Sequence, residues 1–162
     1  MCVIVDMNVA HELWEIGGTP IGQGLREAVD DGVLKLAVGG SELHGELEES
    51  STRLQEWVRE LGRAGYLTEL EDHDVDREER NLRAGLIVGA NEIRSDDQHI
   101  VALARVSHAR LLFSRDRKLR LDFKNRLLIA RPAGKILNSE QDTELTPARK
   151  RMLANPNLCK TS

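Results

Sequence analysis

Four acidic positions stand where a chain of alternating strands and helices gathers its chemistry. Asp6 closes the apolar run Val3-Ile4-Val5. Glu42 and Glu46 lie one helical turn apart after the second apolar run. Asp96 and Asp97 precede the apolar face Ile100, Val101, Leu103 and Ala104. Asp116 follows Leu111-Leu112-Phe113-Ser114. Carboxylates gathered in one place repel, and ionising them together is costly without a cation. Hard divalent ions such as Mg²⁺ or Mn²⁺ take oxygen ligands of this kind. Such an ion orients and deprotonates a water and stabilises the charge that builds on a phosphodiester under attack. Each acid alone also has a local role open to it. Asp6 can cap a helix, Asp96 and Asp97 can complement a helix N-terminus, Asp116 can sit in a turn, and Glu42 and Glu46 can be ordinary helix-surface acids. The conjunction carries the argument. Helical spacing aligns Asp97 with Ile100, Val101 and Ala104, and puts Glu46 beside Leu43, Leu47 and Ser50.

The elements that must position these residues follow from pattern and punctuation. Strands are expected at 3–5, 33–38, 66–70, 110–114 and 127–130. Helices are expected at 8–16, 21–31, 41–61, from the acidic loop at 72–76 to Ala90 with Leu82, Leu86 and Ile87 inward, after Ser95, and at 117–123. The glycine pairs Gly17-Gly18 and Gly39-Gly40 mark breaks. Ser95-Asp96-Asp97-Gln98 fits a capping box. Strands alternating with helices argue for a three-layer α/β/α sandwich around a central, mostly parallel sheet of 4–5 strands, whose ligand site lies beyond the carboxyl ends of the strands. Residues 1–135 form the expected domain. Residues 136–162 are a polar, partly flexible tail with one short helix at 147–153.

Composition sets the outer limits. A chain of 162 residues, 40% apolar and 31% charged, builds one domain with a real core. No apolar run approaches the roughly 20 residues a membrane span needs, and the start of the chain lacks a secretory pattern. Cys2 and Cys159 sit at opposite ends and provide neither a disulfide framework nor a Cys/His zinc site, so a reducing, cytoplasmic compartment is expected. No acyl-transfer triad is present. His44, His99 and His108 read as surface or structural histidines, because no second His or Cys stands at ligand spacing. Gly22-Gln-Gly24 lacks the third glycine of a dinucleotide fingerprint.

The net charge of −4 hides an asymmetry: residues 105–135 carry 10 Lys/Arg against only Asp116 and Asp122. Arg115, Arg117, Lys118, Arg120 and Lys124 surround Asp116. Cations so placed contact phosphates and supply affinity without reading sequence. With aromatics at 3%, base stacking is poorly provided.

Val-Ile-Val-Asp6-Met-Asn8, Glu46-Leu47, Ser95-Asp96-Asp97-Gln98-His99-Ile100 with Ala102-Leu103-Ala104, and Leu112-Phe113-Ser114-Arg115-Asp116 together resemble the PIN domain over about residues 1–135. The resemblance implies the three-layer fold and a Mg²⁺- or Mn²⁺-dependent endoribonuclease, commonly the toxin of a toxin–antitoxin pair and often a homodimer. By position, Asp6, Glu46, Asp97 and Asp116 would be metal-binding catalytic acids, with Asn8 or Ser114 assisting. Glu42 remains the alternative to Glu46. The rival expectations are a non-catalytic PIN-like module that binds RNA or protein, and a phosphatase or DNA nuclease on a related sheet.

Overall fold

The computed structural model describes residues 1–153. Five strands form one sheet: β1 (Cys2–Val5), β2 (Lys35–Val38), β3 (Leu67–Glu69), β4 (Leu111–Phe113) and β5 (Lys135–Leu137). Their order is β3-β2-β1-β4-β5, and every pairing is parallel. Helices flank the sheet, giving the expected three-layer α/β/α sandwich. The apolar runs of β1 and β4 are continuous because a central parallel strand is covered on both faces. Val3, Ile4, Leu111, Leu112 and Phe113 are all fully buried.

The chain steps outward from β1 to β2 and β3. It then returns to the other side of β1 as β4. A 3-10 helix (Met7–Leu13) and α1 (Pro20–Asp30) join β1 to β2, and α2 (Ser41–Glu49) and α3 (Thr52–Ala64) join β2 to β3. The return runs through α4 (Asp72–Arg83) and α5 (Gln98–Ser107), and α6 (Arg117–Lys124) leads to β5. Right-handed crossovers travelling in opposite directions put their helices on opposite faces. The reversal opens a crevice between the carboxyl ends of β1 and β4, which is where open parallel sheets bind ligands.

Several boundaries differ from the sequence expectation, each for a local reason. The helix expected over 41–61 is two helices. Ser50 Oγ donates to the Leu47 carbonyl at 2.6 Å and Ser51 Oγ accepts from Leu54 N–H at 3.3 Å. Consecutive serines thus offer the backbone another set of bonds and restart the helix. The helix expected to reach Ala90 ends at Arg83, followed by Gly85 at φ +71°. Leu86, expected to face inward, is 74% exposed. The helix expected over 8–16 is the 3-10 segment. The strand expected at 127–130 is a turn, in which Leu128 N–H and Ile129 N–H donate to the Asn125 carbonyl. Its apolar residues belong to the core without joining the sheet: Leu128 and Ile129 are buried. The edge strand is instead β5, across the expected domain end.

Residues 138–153 continue onto the domain: Leu145 and Leu153 are buried, and α7 covers Pro147–Leu153. Residues 154–162 of the expected tail lie outside the described residues. Cys2 is disulfide-bonded rather than a free thiol, and Cys159 lies outside the described residues. The cysteines therefore no longer argue for a reducing compartment. Among the described residues, no helix is long and apolar enough to cross a membrane.

Candidate functional site

The crevice between β1 and β4 collects the acids. Asp6 is the first residue past β1 and is 5% exposed. Its backbone N–H extends the sheet to the Phe113 carbonyl at 3.0 Å, and its Oδ1 accepts from Asn8 N–H at 3.0 Å. Asn8 therefore assists through its backbone; its side chain is exposed. The fully buried Ser114, one residue past β4, donates its hydroxyl to Asp6 Oδ2 at 2.7 Å and accepts from Asp116 N–H at 3.0 Å. One hydroxyl thus ties the first acid to the loop carrying the last. Asp116 caps α6, accepting from Leu119 N–H at 2.7 Å, and still presents its carboxylate at the crevice mouth.

Asp97 arrives from the opposite side as the N-cap residue of α5, with no capping bond from its side chain. The capping box expected at Ser95 does not form. Ser95 is buried and donates both its N–H and its hydroxyl to Asp122 Oδ2, each at 2.8 Å. Asp122 also accepts from Arg94 N–H at 3.0 Å. This buried carboxylate of α6 pins the loop that delivers Asp97 and frees the Asp97 side chain to face the other acids. Asp96, its neighbour, is exposed.

Electrostatics register the gathering. Burial raises the Asp97 pKa above its ordinary value, and the charges of Asp6, Asp116 and Asp96 raise it further against the opposing pull of His99. Burial likewise raises Glu46, with His99 opposing and Asp6, Asp97 and Glu42 adding to the rise. The four expected acids therefore act on one another across the crevice. Glu46 is the glutamate that faces them. Glu42 turns toward Arg83, whose Nη2 lies 3.4 Å from its Oε2. Among the described residues, none of Asp6, Glu46, Asp97 and Asp116 is ion-paired with a Lys or Arg; the nearest basic partner is the imidazole of His99, at 3.6 Å from Glu46.

His99 is the site residue the sequence reading set aside as structural. It is 3% exposed, and neither ring nitrogen makes a hydrogen bond. Nδ1 lies 3.4 Å from Glu42 Oε1 and Nε2 lies 3.6 Å from Glu46 Oε2. The signal available was its place two residues after Asp97, directly before the apolar run Ile100-Val101-Ala102-Leu103-Ala104. One donor atom from each of Glu42, Glu46 and His99 falls within 4.8 Å of the others, so this group could hold a metal ion.

The basic stretch divides between two tasks. Arg115 turns inward, its Nε 3.1 Å from Oε1 of the buried Glu12. Arg120 is mostly covered and donates from Nε to the Asp116 carbonyl at 3.3 Å. Arg117 and Lys124 line a groove of about 500 Å³ together with Arg120, Arg149 and Asp142, the last two ion-paired with each other. Lys118 is exposed on the same helix. The groove starts one residue past Asp116, so its cations lead away from the acids. Comparison with family models, characterised proteins and solved structures finds no match.

Proposed function

We propose that the chain is a divalent-cation-dependent endoribonuclease of the PIN type, hydrolysing phosphodiester bonds in single-stranded or structured RNA. The observation that carries this reading is the crowding of Asp6, Glu46, Asp97 and Asp116 at the switch point of a parallel sheet without a Lys or Arg partner. The pKa values of Asp97 and Glu46 are raised first by burial and then by the neighbouring acids. Asp6, Asp97 and Asp116, with Glu46, would hold Mg²⁺ or Mn²⁺, whose all-oxygen preference matches this donor set. When bound, such an ion supplies an activated water and a positive field for the developing phosphorane charge. Ser114 fixes the orientation of the Asp6 carboxylate and the Asp116 loop. Arg117, Lys118 and Lys124 draw the phosphate backbone along the groove toward the acids. The scarcity of aromatics leaves recognition to backbone shape or to a protein partner, the place an antitoxin would fill.

A substrate panel of labelled RNA, single-stranded DNA and a phosphomonoester, with Mg²⁺ or Mn²⁺, tests the reading. RNA cleavage should appear, stop on chelation, and be lost by at least about 100-fold in Asp6→Asn. Cleavage that survives chelation, or hydrolysis of the phosphomonoester alone, would overturn it.

A further inference from the structure

Glu42 and Glu46 stand one turn apart on α2, and α5 presents His99 between them. One ring nitrogen of the buried imidazole and one carboxylate oxygen from each glutamate lie within 4.8 Å of one another, and neither nitrogen makes a hydrogen bond. Ligands bound at about 2.0–2.2 Å stand roughly 3 Å apart around an ion. The 4.8 Å limit on the three donor atoms is closed by small side-chain rotations of the two half-exposed glutamates. The donor chemistry differs from that of the neighbouring acids. Oxygen-only sets suit Mg²⁺, whereas imidazole with carboxylates suits Zn²⁺ and similar borderline ions.

We propose that Glu42, Glu46 and His99 form a second cation site, selective for a borderline divalent ion such as Zn²⁺, beside the all-oxygen site of Asp6, Asp97 and Asp116. It shares Glu46 with the nuclease reading but does not depend on hydrolysis being the activity. Because Glu46 faces both groups, Zn²⁺ here draws one ligand away from the all-oxygen site. Arg83 reaches Glu42 at 3.4 Å but is anchored on Glu79, to whose Oε1 its Nε donates at 2.8 Å, so the Glu42 carboxylate turns from Arg83 toward the ion when it binds.

Equilibrium dialysis of the full chain against Zn²⁺, in millimolar Mg²⁺ to fill oxygen-only sites, reads the proposal directly. The wild-type chain should take up Zn²⁺, and His99→Gln and Glu42→Gln should each weaken that uptake at least about 10-fold. Asp97→Asn should bind Zn²⁺ at least as tightly as the wild type does, so a failure of the nuclease reading leaves this result in place. His99 is buried, and circular dichroism checks that its variant folds; Glu42 is half exposed, and its variant decides the matter if the other does not fold. Unchanged Zn²⁺ affinity in Glu42→Gln, or no uptake by the wild type, would overturn the proposal.

Discussion

Asp97 carries the conflict on which the site depends. Its pKa is raised by burial first and then by Asp6, against the pull of His99; that of Glu46 is raised by burial, against the same pull. An acid whose folded-state pKa exceeds its unfolded value stabilises the fold below the unfolded value, and that contribution is lost as pH rises through the folded one. For these two groups the loss begins above the ordinary values of 3.8 and 4.5. Asp97→Asn should therefore raise the melting temperature of the metal-free protein at pH 7, with the gain shrinking as pH falls through that window. The same variant should cut RNA cleavage at least about 100-fold. A scan of melting temperature against pH for both proteins checks it. An Asp97→Asn melting temperature below the wild type's at neutral pH would contradict the assigned crowding. At this scale the sequence was legible for acids that end strands or open helices, because position relative to an apolar run needs no tertiary information. It could not choose between Glu42 and Glu46, which differ only in what lies across from α2. It also passed over His99, whose partners come from a helix far away in the chain.

Elements deliver these residues through a few buried polar anchors. Asp122 is 1% exposed and accepts from Arg94 and Ser95, holding the loop that leads into α5. Asp122→Ala leaves those buried donors without a partner and should cost about 2–4 kcal/mol. Denaturant unfolding measures that loss. Because the loop delivers Asp97, cleavage should fall as well at temperatures where the variant remains folded. The same anchor explains why the expected capping box failed. Ser95-x-x-Gln98 has the right local sequence, but a buried carboxylate from α6 competes for the serine. The split of α2 from α3 at Ser50-Ser51 is likewise a side-chain bond overriding helical periodicity. The strand misplaced to 127–130 shows the converse: an apolar run establishes burial, and hydrogen bonding alone decides whether it joins a sheet. The edge strand β5, Lys135-Ile136-Leu137, is short and opens on a lysine, as an edge permits.

For the whole molecule, parallel topology was the most legible feature, since alternation of strands and helices leaves few other arrangements. Once the order β3-β2-β1-β4-β5 is fixed, the crevice between β1 and β4 follows, and Asp6, Ser114 and Asp116 meet there. Charge segregation follows the same geometry, with an acidic crevice beside a basic groove on α6. Arg117→Ala with Lys124→Ala should weaken RNA binding evenly across sequences. It should lower the magnitude of the log–log salt slope by about 1.4, at about 0.7 per lost phosphate contact on a single strand. Binding measured at several salt concentrations tests this; an unchanged slope would place the phosphate path elsewhere. If the separated acids form one cation site, calorimetric titration with Mg²⁺ at neutral pH reads it out. The wild-type chain should bind Mg²⁺, and the double variant Asp6→Asn, Asp97→Asn should lose that binding while keeping its circular dichroism spectrum. Equal Mg²⁺ uptake by the two proteins, or none by the wild type, would contradict the account.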